Sequence, residues 1–230
     1  ARLARQSLSR QLARLIPQSE LDSLRLTLMK MACDAEVVLD LHCDFRADLH
    51  LYTGTPLWPR CEPLARYLGA CATLLATESG DQPFDEACSQ LWWQLAERAE
   101  AACPGAAFEP ACLAVTIELR GQANIDHELA KQDAEGILHY MRHIGVIAEA
   151  APTLPALRYP ATPLAGSEDL RAPHAGILVY HAKPGSLLAH GDLIAEVIDP
   201  LSDWVSEIRA QRSGVLYATS VRSYAITGMN

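Results

Sequence analysis

Glu36-Val37-Val38-Leu39-Asp40-Leu41-His42 is a short run that is almost continuously apolar and β-branched at its start. Such a run is typical of a strand buried on both faces of a largely parallel sheet. A second run of this kind, Cys112–Leu119, carries Glu118 near its end. The two runs predict two buried strands of one sheet, each ending in a polar side chain.

Helical patterns surround these runs. Ser19-Glu20-Leu21-Asp22 resembles a capping box. Apolar residues recur there at spacings of three or four, which predicts a helix with one apolar stripe: Leu21, Leu24, Leu28 and Met31. Further helices are predicted from Pro83 to about Ala102 and from Asp126 to Gly145. Strands that alternate with helices favour α/β architecture, so we expect residues 1–150 to form an α/β domain.

The sequence changes character near residue 150. Residues 151–166 hold four prolines and no helical period, which is typical of a linker. Short β-type runs separated by turn residues follow, as in Gly176–Tyr180, Leu193–Ile198 and Gly214–Tyr217. We therefore predict a small β-rich, barrel-sandwich-like domain over residues 151–230.

Composition excludes several classes of function. The net charge of -9 argues against a nucleic-acid partner, because phosphate binding needs clustered Lys and Arg. No apolar run approaches the roughly 20 residues of a membrane span, so no membrane partner is expected. The seven cysteines include no C-x-x-C pair, which fits a reducing cytoplasm better than a disulfide framework. The oligomeric state stays open, with a homo-oligomer as one alternative.

His42 and Glu118 are the candidate site residues. Working side chains in open α/β sheets lie beyond the carboxyl ends of strands, where both residues are predicted to lie. Imidazole is a common zinc ligand, and a carboxylate beside a metal-bound water can act as general base. One alternative is that His42 has only a structural role at the end of its strand. The other is that Glu118 forms a salt bridge with Arg120.

Three segments, in this order, resemble the succinylglutamate desuccinylase/aspartoacylase family. The first comprises Asp40-Leu41-His42, Cys43-Asp44 and His50-Leu51-Tyr52-Thr53. The second is Val115-Thr116-Ile117-Glu118-Leu119-Arg120-Gly121. The third comprises Arg171–Leu178, Pro184-Gly185 and His190-Gly191-Asp192. The resemblance covers nearly the whole chain.

The resemblance implies a zinc carboxypeptidase-like mixed sheet with flanking helices, followed by the β-rich domain. It also implies one Zn²⁺ per complete active site, with His42 as a ligand and Glu118 as the catalytic carboxylate. The implied reaction is hydrolysis of the amide bond of a small N-acyl amino acid. Arg120, His50, Tyr52 and Asp44 are the candidates for binding this substrate, since a guanidinium can hold a substrate carboxylate.

The sequence departs from the family at one important point. The family's first two zinc ligands come from an H-x-x-E segment upstream of D-L-H, and none of the eight histidines here has Glu three residues later. We therefore expect an N-terminal portion to be missing, and we expect this chain alone to bind zinc poorly and to be inactive. The alternative functions are a carboxypeptidase-like peptidase and a non-catalytic binding protein on the same scaffold.

Overall fold

A computed structural model describes residues 1–80, 83–105 and 108–229. The helices are α1 (Arg2–Leu12), α2 (Glu20–Ala32), α3 (Trp58–Leu68), α4 (Phe84–Ala102) and α5 (His127–His143). The strands are β1 (Val37–Asp44), β2 (His50–Gly54), β3 (Ala72–Ala76), β4 (Leu113–Gly121), β5 (Thr162–Pro163), β6 (Gly176–Tyr180), β7 (Ser186–Leu188), β8 (Leu193–Ile198), β9 (Val205–Arg209), β10 (Gly214–Leu216) and β11 (Tyr224–Ala225). This is a mixed α/β fold with a β-rich C-terminal part, as predicted.

Five strands form the first sheet, in the order β1-β4-β2-β3-β5. Its neighbours β1 and β4 run parallel, because the Glu36 and Asp44 carbonyls accept hydrogen bonds from Leu113 N and Gln122 N at the two ends of the pair. The prediction of two strands buried on both faces is right for β4, whose residues from Leu113 to Ile117 are all buried. It is wrong for β1, which is an edge strand of this sheet and leaves 53% of Leu41 exposed.

The predicted helices begin where capping residues occur. Ser19 Oγ accepts a hydrogen bond from Asp22 N at 3.1 Å and begins α2. Asp126 caps α5 by accepting from Glu128 N and Leu129 N. In α2, however, all four residues of the predicted apolar stripe are at least 38% exposed.

The C-terminal strands form two antiparallel sheets. The larger has the order β11-β6-β8-β9, and the smaller pairs β10 with β7. In the larger sheet, Tyr224, Ile177, Ile198 and Val205 lie directly opposite one another across the four strands. The short strands predicted after residue 170 are thus present, at β6, β8 and β10.

The contacts divide the chain into two compact units. Unit 1 comprises Ala1–Asp40, Tyr52–Cys61 and Leu75–Thr116, and unit 2 comprises Leu41–Leu51, Glu62–Leu74 and the chain from Ile117 onward. The boundary between sequence domains predicted at residue 150 stays a prediction.

A buried apolar cluster of Cys88, Trp92, Cys112 and Ala114 forms a core of unit 1. The guanidinium of Arg5 covers the Trp92 ring at 5.6 Å and donates to the Ala111 carbonyl at 2.7 Å.

Candidate active site

His42 and Glu118 lie on the parallel neighbours β1 and β4. Val38 packs against the apolar cluster that contains Ala114, so these two side chains share a face of the sheet. Because side chains alternate along a strand, residues four positions further on return to that face. His42 and Glu118 therefore point to the same side of the sheet.

The two candidates differ in exposure. His42 is exposed, whereas Glu118 is partly buried after a fully buried stretch of β4. An imidazole open to solvent can bind a metal ion, and a carboxylate shielded from water interacts more strongly with charges nearby. Such a pair suits a metal ligand beside a proton-transferring group.

Arg120 breaks the regular geometry of β4. Its φ of 70° lies in the left-handed region, which is uncommon for a residue with a side chain. Its Nη1 donates to both carboxylate oxygens of Asp133 on α5, at 3.0 and 2.8 Å, and both side chains are at most 16% exposed. This Nη1 group is thus bound by a carboxylate of the protein itself.

His50, at the start of β2, is completely buried. Its Nδ1 lies 2.9 Å from the Asp48 carbonyl oxygen, and its ring lies 4.9 Å from that of Tyr217. Burial lowers the pKa of His50 below its ordinary value, against the opposing effect of the Asp48 carbonyl. His50 is therefore a neutral imidazole at physiological pH.

The other two substrate-binding candidates lie on the same strands. Asp44 ends β1, where its Oδ1 accepts a hydrogen bond from Phe45 N and its carbonyl accepts one from Gln122 N. Tyr52 lies in the middle of β2 and is partly buried. Asp44, His42, Glu118, Arg120 and His50 all belong to unit 2, whereas Tyr52 belongs to unit 1.

Asp48 has a structural role for which the sequence contains no recognisable motif. Its carboxylate pairs with Arg158 at 3.0 Å and accepts a hydrogen bond from Leu49 N at 2.8 Å. Gly185, at φ 86°, packs so closely on this carboxylate that a Cβ there would collide with Oδ2. The ion pair between Asp48 and Arg158 thus joins two segments that lie more than 100 residues apart in the sequence.

The described residues provide one candidate zinc ligand rather than a complete set of ligands. Within residues 1–80, 83–105 and 108–229, no three His, Cys, Asp or Glu side chains form a group able to hold a metal ion. A catalytic zinc takes three protein ligands, and His42 is the candidate for one of them. All seven cysteines, each in the described part of the chain, are free thiols.

No helix in the part of the chain that the structure describes is long and apolar enough to cross a membrane. The sequence matches no protein-family model and no curated protein.

Solved structures do match. A Shewanella frigidimarina structure named for succinylglutamate desuccinylase/aspartoacylase is 30% identical, with a TM-score of 0.86, over 98% of this chain and 61% of its own. A family protein from Shewanella amazonensis is 29% identical, with a TM-score of 0.85, over 99% of this chain and 63% of its own. The ectoine utilization protein EutE from Ruegeria pomeroyi shares the fold, at 16% identity and a TM-score of 0.66, over 93% of this chain and 64% of its own. The chain therefore spans less than two thirds of the length of each of these structures.

Proposed function

Because the chain is related in fold and sequence to the succinylglutamate desuccinylase/aspartoacylase family, we propose that it supplies part of the active site of a zinc-dependent deacylase. The proposed substrate is a small N-acyl amino acid, and the reaction is hydrolysis of its amide bond. We propose Zn²⁺ as the cofactor and His42 as one of its ligands. A complete centre needs two protein ligands besides His42, so we assign no reaction step to the metal.

One observation carries this proposal: His42 and Glu118 point to the same side of the sheet from adjacent parallel strands. The similarity to the two Shewanella structures, which extends over 98% and 99% of the chain, supports the deacylase reading of these positions. Amide hydrolysis requires the group that binds the substrate carbonyl and the group that transfers the proton to be held close together.

Glu118 has the chemistry of a proton carrier. Amide hydrolysis requires a base that takes a proton from the attacking water and an acid that delivers one to the leaving amine. A single carboxylate can serve both steps in turn. Glu118 is partly buried, which limits the access of bulk water to its carboxylate.

The remaining candidates would hold the substrate. Arg120 is the proposed partner of a substrate carboxylate, with Asp133 fixing the position of its guanidinium. His50, Tyr52 and Asp44 are proposed to contact the substrate as well. As a neutral ring that donates through Nδ1 to the Asp48 carbonyl, His50 has Nε2 as its acceptor nitrogen.

The test compares substrates and variants. N-acetyl and N-succinyl amino acids and matched dipeptides are incubated, in the presence of zinc, with this 230-residue chain and with the product of its complete reading frame. We expect the latter to release free amino acid from the acylated substrates, and Glu118→Gln to lower kcat by about 10²- to 10⁴-fold. Glu135→Gln, at an exposed position of α5, is the matched control.

Three outcomes would contradict the proposal. Faster cleavage of dipeptides than of acylated amino acids would favour a peptidase. Full activity of Glu118→Gln would show that Glu118 takes no part in the reaction. No hydrolysis of any substrate by the complete product would favour a binding protein.

A further inference from the structure

The exposed stripe of α2 has the spacing of a helix-pairing surface. Its four residues, which we call the α2 seam, are Leu21, Leu24, Leu28 and Met31. Intervals of three, four and three place them at successive a and d positions of a heptad repeat, which form the contact between paired helices. Their exposed fractions run from 38% at Leu28 to 74% at Met31. Much of their apolar surface is thus left for a partner to bury.

A different face of α2 holds the helix in place. Met29 and Ala32 pack against the apolar cluster around Trp92, and Ser19 caps the first turn. With 3.6 residues per turn, Met29 points about 120° away from the centre of the α2 seam. A partner helix can therefore contact the seam while α2 keeps its contacts with the Trp92 cluster.

The charged residues beside the α2 seam select an orientation. Glu20 occupies the g position before Leu21, Arg25 occupies the e position after Leu24, and both are exposed. In a parallel helix pair, a g residue meets the e residue five positions later in the partner helix, so Glu20 of each copy meets Arg25 of the other. In an antiparallel pair, g positions meet g positions, where α2 offers only Glu20 and Thr27. Opposite charges thus favour the parallel pair.

The composition of α2 favours a second protein helix over a membrane surface. The helix carries two acidic residues, Glu20 and Asp22, and two basic residues, Arg25 and Lys30. Helices that lie on membranes are rich in Lys and Arg on their polar face, and α2 has no excess of either sign. A second copy of the chain matches the seam and its flanking charges by symmetry, because a two-fold axis forms the Glu20–Arg25 pair twice.

We propose that the chain forms a symmetric dimer in which the α2 seams of two copies pack in parallel, with Glu20 of each copy paired with Arg25 of the other. The 13 residues of α2 span less than two heptads, so the contact is small and the dimer is reversible. The inference goes beyond the proposed deacylase function and does not depend on it.

Sedimentation equilibrium of the 230-residue chain, at loading concentrations from about 5 to about 500 µM, tests the dimer. We expect a reversible equilibrium between monomer and dimer. Leu24→Glu places a charge within the α2 seam and should weaken dimerisation at least about 10-fold. Leu3→Glu, at a position of α1 that is 77% exposed, is the matched control and should leave the dissociation constant unchanged.

Charge reversal tests the parallel orientation. Glu20→Arg and Arg25→Glu, each alone, place like charges opposite one another and should weaken dimerisation about 3- to 10-fold. The double variant restores opposite charges in a parallel pair and should recover the wild-type dissociation constant. Far-ultraviolet circular dichroism checks that each variant is folded. If the double variant does not fold, Arg25→Glu alone decides, because in an antiparallel pair it would not weaken the dimer.

The proposal is overturned if the chain stays monomeric at the highest concentration or if folded Leu24→Glu dimerises like the wild type. A double variant that dimerises no better than the single variants would overturn the parallel pairing. The product of the complete reading frame is measured in the same way, and loss of the dimer there would show that a further segment covers the α2 seam, which also overturns the proposal. Because no readout is enzymatic, none of these results bears on the proposed deacylase function.

Discussion

Asp85→Asn should stabilise the protein at neutral pH. Asp85, in the first turn of α4, is only 4% exposed, and burial raises the pKa of its carboxyl from 3.8 to about 6. The neighbouring carboxylates of Glu86 and Asp40 act in the same direction, whereas hydrogen bonds from Glu86 N and the Thr116 side chain oppose it. An amide at this position keeps an oxygen for these bonds and has no charge to desolvate.

The magnitude follows from the pKa. Each pKa unit between the folded and unfolded states is worth about 1.4 kcal/mol, so ionising Asp85 costs the folded state about 3 kcal/mol. Below the unfolded pKa both states are protonated, and the cost is absent. As pH rises from about 4 to 6, only the unfolded state releases its proton, so stability falls until the folded pKa is passed.

Urea unfolding from pH 4 to pH 8 measures this effect. The gain in free energy of unfolding of Asp85→Asn over wild type should be small at pH 4, grow to about 3 kcal/mol near pH 6 and then level off. Glu97→Gln, an exposed position on the same helix, should show no such trend. A difference between Asp85→Asn and wild type that does not change with pH would refute the reasoning.

Three further predictions concern thiols, an ion pair and the metal. In the native protein, a thiol reagent should first label Cys43 and Cys103, because both are exposed. Labelling of more than three thiols before the protein unfolds would contradict this prediction. Cys33 is partly buried. Burial protects the remaining four thiols and raises the thiol pKa to about 11 or 12 at Cys61, Cys71, Cys88 and Cys112. Asp133→Asn should lower the free energy of unfolding by about 3 kcal/mol, because Arg120 would keep a shielded, uncompensated charge; a loss below about 1 kcal/mol in urea unfolding would argue against a strong pair. With His42 as one ligand, the 230-residue chain should retain little zinc by elemental analysis after dialysis, and stoichiometric zinc together with deacylase activity would overturn this expectation.

Local sequence signals located most of the elements. The helix predicted from Pro83 to Ala102 is observed as Phe84–Ala102, and the β-type runs at Gly176–Tyr180 and Leu193–Ile198 are strands with those bounds. Capping residues and alternation of apolar side chains act over a few residues, so sequence alone reveals them. No local pattern predicts the α3 helix, because Pro63 lies inside it and proline usually interrupts helices.

The order of strands and the details of the site needed the structure. An apolar run does not distinguish a central strand from an outer one, so the sequence predicts burial on both faces for β1 as well as for β4. The ion pair of Arg120 with Asp133 joins β4 to α5, and no local sequence pattern predicts it. The same holds for Asp48 and Arg158. The roles of His42 and Glu118 stay predictions.

The two apolar faces of α2 affect how the protein behaves at high concentration. Met29 and Ala32 pack into the Trp92 cluster, whereas Leu24 and Met31 on another side are 56% and 74% exposed. Exposed apolar patches of this kind promote self-association. Preparations of the 230-residue chain should therefore scatter more light as they are concentrated, and Leu24→Lys should improve solubility.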